Sequence, residues 1–269
     1  MQLTVHHETE YHYGGPLAYS AQRLYLTPLS FSAQRVVNWK ISAPGVDTAL
    51  SYQDGFGNTV LLATASNIKG PIKVIASGVV ETFDTSGVVS GLPPTTQDVV
   101  FLRQTVLTMP SEAISNLAQV ANKEISALDQ MHSLMNSIHR EVAFVTGATD
   151  SYTTAAQAFA AGTGVCQDQS HILLGAARDL GIPSRYVTGY LVTGVGATSA
   201  ASHAWVEALV PGLGWVGFDA ANNQCPTPDY VRVAAGIDAK SVAPIRGSRR
   251  GGGEAEEMRV EVRVEIAQQ

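Results

Sequence analysis

The sequence predicts an α+β protein, with a β-rich, sandwich-like N-terminal domain over residues 1–97 and a mixed helical and stranded domain over residues 98–269. Two observations carry this. The first third is built of short runs of β-branched and aromatic residues separated by turn-forming residues. After Ser90-Gly91-Leu92-Pro93-Pro94-Thr95-Thr96-Gln97, which reads as a linker, the apolar spacing changes from alternation to the three- and four-residue period of helices.

In the first domain, residues 3–13, 36–41 and 72–80 read as strands. Asp54-Gly55-Phe56-Gly57-Asn58 is a turn between strands 50–53 and 59–63. Strands and turns at this spacing suggest a sandwich. In the second domain Pro110-Ser111-Glu112 opens a helix that carries Ile114, Leu117, Ala118 and Ala121 on one face. Leu128, Met131, Leu134, Met135, Ile138 and Val142 define a second helix, and residues 153–161 a shorter third. Arg246, Arg249 and Arg250, followed by three glycines, read as a solvated loop. Residues 258–266 alternate strictly, which is the pattern of a half-exposed strand.

The stretch that organises the chain is Thr163-Gly164-Val165-Cys166-Gln167-Asp168-Gln169-Ser170-His171. Gln169, Ile172, Leu173, Ala176, Ala177 and Leu180 then recur on one helical face. Gly181 and Pro183 stop the helix. Cys166 therefore lies in the first turn, where unpaired backbone N–H groups and the helix dipole favour a negatively charged sulfur, the nucleophilic form. Asp168 reads as a structural acceptor for N–H groups at the helix start.

A nucleophile needs a base, and the base an orienting group. Ser202-His203-Ala204-Trp205-Val206-Glu207-Ala208 and Trp215-Val216-Gly217-Phe218-Asp219-Ala220 both read as strands, joined by the turn Pro211-Gly212-Leu213-Gly214. On such a hairpin His203 and Asp219 lie near the same end. The run 193–201 reads as a loop ahead of His203, either bordering the substrate cleft or simply connecting two strands. The other histidines look ordinary: His6, His7 and His12 at the surface, His132 and His139 on the second helix, His171 a turn away from Cys166.

These blocks, Gly164-Val165-Cys166, Ser202-His203-Ala204-Trp205-Val206-Glu207 and Gly214-Trp215-Val216-Gly217-Phe218-Asp219, resemble the core of the transglutaminase-like superfamily, a papain-like fold. With Tyr11-His12-Tyr13 and Asp54-Gly55-Phe56-Gly57-Asn58, the likeness extends to bacterial transglutaminase-like cysteine proteases that carry an extra N-terminal β domain. One departure stands out. Family members usually follow the aspartate with Pro-Thr-Asn, whereas here Asp219 is followed by Ala220-Ala221-Asn222.

The expected chemistry is acyl transfer on an amide by Cys166, His203 and Asp219, through a thioester. The resemblance implies a side-chain oxyanion donor upstream of the cysteine, where Gln157 is the nearby amide. Peptide or amide hydrolysis is the preferred outcome. A crosslinking transferase and a non-catalytic binding protein on the same fold are the rival readings. No metal or other cofactor is expected: Cys166, His171, His203 and Cys225 lack the paired spacing of a zinc site, and there is no calcium-loop pattern. The formal charge of −6 gives no reason to expect nucleic acid or an anionic membrane as partner. The expected partner is a peptide or protein amide substrate; the sequence does not define an oligomeric state. With Cys166 and Cys225 as its two cysteines and no charged-then-apolar leader, the chain reads as cytoplasmic.

Overall fold

The computed structural model describes residues 1–93, 96–192, 198–199, 202–253 and 255–267, with main chain alone at 198–199. In chain order the N-terminal part forms β1 (Gln2–Tyr13), β2 (Leu17–Thr27), β3 (Gln34–Ser42), β4 (Leu50–Gln53), β5 (Thr59–Ile68), β6 (Ile72–Thr82) and β7 (Val88–Val89). Helices α1 (Glu112–Ala121) and α2 (Ala127–Glu141) follow, then β8 (Ala143–Phe144), α3 (Ala155–Ala161), β9 (Thr163–Gly164) and α4 (Cys166–Asp179). The chain continues through β10 (Ser184–Leu191), β11 (Thr198–Ser199), β12 (His203–Val210), β13 (Gly214–Phe218) and β14 (Tyr230–Gly236). It ends with β15 (Ile245–Gly251) and β16 (Glu256–Ile266). The expected loop over 193–201 lies outside the described residues except for β11, which pairs with β16 at Arg263 and Val262. No helix among the described residues is long and apolar enough to cross a membrane.

Two of the larger sheets, ordered β11-β16-β1-β6-β3 and β15-β2-β5-β4, form a β-sandwich. Tyr11, Leu17, Leu24, Leu26, Ala63, Ile72, Val74 and Ala76 fill the space between them. The third, antiparallel and ordered β14-β10-β12-β13-β7, carries α4 against β10 and β12, with α1, α2 and α3 packed around α4. Every residue of α4 from Asp168 to Arg178 is buried, so it is a core helix rather than a surface one. Ser111, Ser126 and Thr154 cap α1, α2 and α3 with their hydroxyls.

The C-terminal strands differ from the sequence expectation. Residues 245–266 fall in the range assigned to the second domain, but β16 pairs with β1 over its whole length and β15 pairs with β2. The alternation of 258–266 identified a strand; nothing in it named a partner more than two hundred residues away. Arg246, Arg249 and Arg250, expected in a loop, lie on β15. His7, expected at the surface, is buried: one ring nitrogen is 2.9 Å from the Tyr190 hydroxyl and the other 3.1 Å from Thr9 Oγ1. Burial lowers its pKa to about 4, helped by His6, so it is neutral in that contact.

Strand β14 is an edge strand whose free side is covered by side-chain amides of the sandwich. Asn58 donates from Nδ2 to the Ala235 carbonyl and accepts the Ala235 N–H, both at 2.8 Å. Gln34 does the same to Arg232, at 2.9 and 2.8 Å. Each carboxamide stands in for a neighbouring strand, which blunts an otherwise open edge. The turn at 54–58 exists to aim Asn58: Asp54 Oδ1 accepts the Phe56 and Asn58 N–H groups, and Asp54 Oδ2 accepts from Asn58 Nδ2, all at 2.9 Å. Leu3, Val5, Tyr25, Val60 and Val80 of the sandwich share one apolar core with Ile172, Leu174, Val206 and Val231.

Replacing Asn58 by Ala strands a buried main-chain N–H and C=O on Ala235. We expect a loss of about 1–3 kcal/mol in unfolding free energy by urea titration, at unchanged m-value. A loss below about 0.5 kcal/mol, the level of an ordinary surface substitution, would mean that this edge needs no cover.

Candidate active site

The start of α4 is fixed from both sides. A short parallel ladder holds the chain before it: Ala143 N–H donates to Gly162 O and Val145 N–H to Gly164 O, both at 2.9 Å. Asp168, in the first turn, reaches back so that its Oδ2 accepts the Val165 N–H at 2.8 Å and the Thr149 hydroxyl at 2.6 Å. The residue at the helix start, Val165, has no acceptor of its own, so Asp168 supplies this half of a capping box. Burial pushes the Asp168 carboxyl up, and the bonds from Thr149 and Val165 pull against that. A Cβ on Gly164 would lie 2.7 Å from the Asp168 Cβ, so glycine is required here for Asp168 to fold back. Cys166 sits half-buried at this junction, against the edge of the core.

Strands β12 and β13 pair with Val206 opposite Phe218. Continuing that register sets Asp219 opposite Trp205 and diagonal to His203 on the same face. The His203 Nε2 lies 2.6 Å from Asp219 Oδ2. The Cys166 side chain lies close enough to act on the same ring. Cys166, His203 and Asp219 are thus together. Burial alone would depress the His203 pKa. The bond to Asp219 and the negative charges of Cys166 and Asp219 outweigh burial and raise it to about 10.

Asp219 has no solvent exposure. Its Oδ1 accepts the N–H groups of Ala221 at 2.9 Å and Asn222 at 3.3 Å. Its Oδ2 accepts from Asn222 Nδ2 and from the Tyr230 hydroxyl, each at 2.7 Å, besides His203. Burial pushes the carboxyl up, but His203, Asn222 and Tyr230 together hold it below its ordinary value. The departure from Pro-Thr-Asn therefore leaves a well-formed turn: Asn222 keeps the position of the usual asparagine and closes onto the carboxylate. His139 of α2 braces the same turn through its Nδ1, 3.0 Å from the Ala220 carbonyl.

Of the remaining candidates, Gln157 is exposed and spends its Oε1 on the Thr154 N–H and hydroxyl, at 2.9 and 3.0 Å, completing the capping box that Thr154 opens on α3. His171 is buried on α4, with its Nε2 accepting the Ala239 N–H at 3.2 Å and its ring 5.4 Å from that of Tyr186. Burial lowers its pKa to about 4, against the pull of Asp238. Among the described residues no group of three or more His, Cys, Asp and Glu side chains is arranged to hold a metal ion. Sequence reasoning missed Tyr230, Asn222 and Trp205. Tyr230 packs edge-on to Trp205 at 5.5 Å and to His203 at 5.8 Å, so the Tyr230 and Trp205 rings both pack against the imidazole. Asn222 was visible as the fourth residue of the aspartate turn; Tyr230 carried no sequence signal, since a register between distant strands places it.

Residues 115–220 match the model of the transglutaminase-like superfamily, and residues 3–81 that of the bacterial transglutaminase-like N-terminal region. The chain thus carries a transglutaminase-like core preceded by a bacterial transglutaminase-like N-terminal region. It is 28% identical over 268 residues to an uncharacterized protein of Mycobacterium leprae, covering 94% of each. An uncharacterized protein of Mycobacterium tuberculosis is 24% identical over 271 residues, covering 90% of this chain and 86% of that one. A crystal structure of a candidate cysteine protease from Cytophaga hutchinsonii superposes with a TM-score of 0.71 at 21% identity, over 100% of this chain and 92% of the other. That likeness is one of fold.

The His203 ring should carry both protons at neutral pH, because its pKa is raised to about 10. In ¹⁵N NMR we expect both ring nitrogens to stay in the protonated range up to about pH 8. Cys166→Ala and Asp219→Asn each remove a negative charge that raises the value, so both should bring the titration down. A wild-type ring that titrates between pH 6 and 7 is the opposite result.

Proposed function

We propose that this protein is a cysteine-dependent acyl-transfer enzyme that acts on amide bonds of a peptide or protein, chiefly by hydrolysis. The observation that carries the reading is His203 held beside Cys166 with one ring nitrogen 2.6 Å from the Asp219 carboxylate. In this reading His203 holds Cys166 as a thiolate–imidazolium pair, and Asp219 fixes the ring direction. The thiolate attacks the amide carbonyl. The tetrahedral oxyanion is met by the Cys166 backbone N–H at the helix start, where no intrahelical acceptor competes for it. The imidazolium gives its proton to the leaving amine, leaving a thioester on Cys166. Water, deprotonated by the now neutral His203, releases the acid and restores the thiol.

A crosslinking transferase shares every step up to the thioester and differs in taking an amine instead of water. The two free cysteines support a reducing, cytoplasmic setting. Tyr230 acts through Asp219 as a positioning residue and does not touch the reacting atoms.

Burial pushes the Cys225 thiol up, and among the described residues no charged group offsets it. Site-resolved mass spectrometry after iodoacetamide should therefore find Cys166 modified much faster than Cys225 from pH 6 to pH 8. Equal rates would remove the nucleophile from this reading. Cys166→Ala should abolish release of acid from a peptide library, and His203→Ala should do the same while slowing alkylation. The wild-type rate should fall as pH rises through about 10, where the imidazolium loses its proton. Adding a primary amine separates the outcomes: product appearing mainly as the amide makes the protein a transferase. A Cys166→Ala variant as active as wild type would sink both.

A further inference from the structure

Building on the acyl-transfer reading, we propose that the segment from Phe144 to Tyr152, beside Cys166, is where the substrate docks. The substrate is a polypeptide, held there as an extended strand by an apolar, uncharged stretch next to the scissile amide.

The segment is pinned to the start of α4. The Val145 N–H donates to the Gly164 carbonyl at 2.9 Å, two residues before Cys166. The Thr149 hydroxyl donates to Asp168 Oδ2 at 2.6 Å, two residues after it. A turn then fixes Tyr152: Asp150 Oδ1 accepts the Tyr152 N–H at 2.8 Å and the Thr153 hydroxyl at 3.1 Å. On this frame Phe144 is 56% exposed, Val145 42% and Tyr152 76%. Large apolar and aromatic side chains thus face water from backbone that is tied down next to the cysteine. Such side chains offer contact area at small entropic cost, and grouped at the surface they mark places where another chain binds.

The main chain gives the direction. Strands β8 and β9 form a two-stranded parallel sheet, so β8 has a free edge. The Ala143 and Val145 N–H groups point to β9. Alternation turns the N–H and C=O of Phe144 to the other edge, where among the described residues neither has a partner. One step earlier on that edge, the Val142 carbonyl accepts from Gln169 Nε2 of α4 at 2.7 Å. Gln169 and Cys166 are three residues apart and share a face of α4. Because β8 runs parallel to the strand that leads into α4, moving along its edge from Val142 to Phe144 moves from Gln169 towards Cys166. A peptide paired with Phe144 would add a third strand and carry its main chain past the sulfur. The ring of Phe144 agrees with this. Phe144 stands opposite Gly164, where a Cβ would lie 2.7 Å from the Asp168 Cβ, so the ring leaves the ladder on the side where α4 begins.

Charge narrows the occupant. From Val142 to Thr149 no residue is charged. A charged substrate side chain would lose water there without gaining a partner, whereas an apolar one gains by burial. A free strand edge also selects a chain that is extended and unpaired, as in an unfolded segment or an open loop.

The test uses the heptapeptide Ser-Thr-Val-Phe-Val-Thr-Ser, acetylated and amidated, and versions with Glu or Lys at the three central positions. Binding is read by NMR titration of the Cys166→Ala chain, and hydrolysis by mass spectrometry with wild type. We expect the apolar peptide to shift the Phe144 amide and Tyr152 ring signals, and to bind about tenfold or more better than the charged versions. Phe144→Ser and Tyr152→Ser, added to Cys166→Ala, should each weaken that binding about tenfold, equivalent to about 1.4 kcal/mol. In otherwise wild-type chains the same two changes should leave alkylation of Cys166 by iodoacetamide unaltered, since that reagent is too small to need the surface. Of two peptides N-methylated at alternate residues, one on each strand edge, one alone should lose binding. Binding with this pattern but no hydrolysis keeps the docking surface and removes the acyl-transfer reading. Hydrolysis that ignores the charged substitutions and both variants does the reverse. No binding at millimolar peptide, or binding that survives methylation of either edge, would also overturn the proposal.

Discussion

The buried carboxylate of Asp219 is the constraint on which the site depends. A charge without solvent costs several kcal/mol unless its lone pairs are matched by donors. Five donors from four residues converge on it, from His203, Ala221, Asn222 and Tyr230. Of these the imidazole alone can become a cation. The carboxylate therefore both fixes the direction of the ring and favours its protonated form, and Cys166 adds to the second effect. Because the two backbone donors come from residues 221 and 222, the turn does not depend on the proline that usually occupies position 220. What it cannot spare is Asn222, which contributes both a backbone and a side-chain bond.

That arrangement needs strands that do not slide, and two polar devices hold them. On β12, Glu207 is buried between Arg185 of β10, at 2.6 Å, and Arg232 of β14, at 2.8 Å. Burial alone would raise the Glu207 carboxyl, but the two guanidinium groups keep it below its ordinary value. Arg185 is further sandwiched over the Trp215 ring at 4.0 Å, so β13 is tied in as well. A buried ion cluster is weak evidence of net stability, yet losing one member leaves an unpaired buried charge, which strongly disfavours any other register. The second device is the pair of carboxamides, Asn58 and Gln34, that close the free edge of β14. Through them the sandwich holds the strand that carries Tyr230, and so reaches Asp219 indirectly.

What the sequence revealed and what it concealed divide along the length scale of the interactions. Helices α1 to α4 were legible because their signals are local: apolar spacing, a hydroxyl at the start, a glycine or proline at the end. The hairpin carrying His203 and Asp219 was legible because its turn and both its strands fall within twenty residues. The capping role of Asp168 and the existence of the turn at 54–58 were legible for the same reason, whereas the contact of Asn58 with Ala235, 177 positions away, was not. Strands β2, β10, β14 and β15 were not picked out, since β10 and β14 are buried on both faces and carry no alternation. The partners of β15 and β16 were hidden because pairing between the two ends of the chain leaves no mark in either segment. His7 looked like a surface residue for that reason too: its partner Tyr190 lies 183 positions away.

The run His203-Ala204-Trp205-Val206-Glu207 carries these lessons in five residues. It reads as one recognition block, but period-two alternation splits it into separate jobs. Ala204 and Val206 belong to the core that α4 fills, and their size sets how closely the helix and therefore Cys166 can approach the sheet. His203, Trp205 and Glu207 alternate with them. Glu207 locks the strand to its neighbours, Trp205 packs against Tyr230, and His203 meets the carboxylate that Tyr230 also binds. Each of the three constrains the next: the ion cluster sets the register, the register puts Trp205 beside Tyr230, and the two rings leave the imidazole one place to lie. A shift of the strand by one residue would send His203 to the helix face and Ala204 to Asp219, leaving Glu207 among aliphatic side chains. The cost of that buried, unpaired carboxylate is what excludes the shift, so the acidic residue farthest from Cys166 in the block is the one that keeps His203 in place.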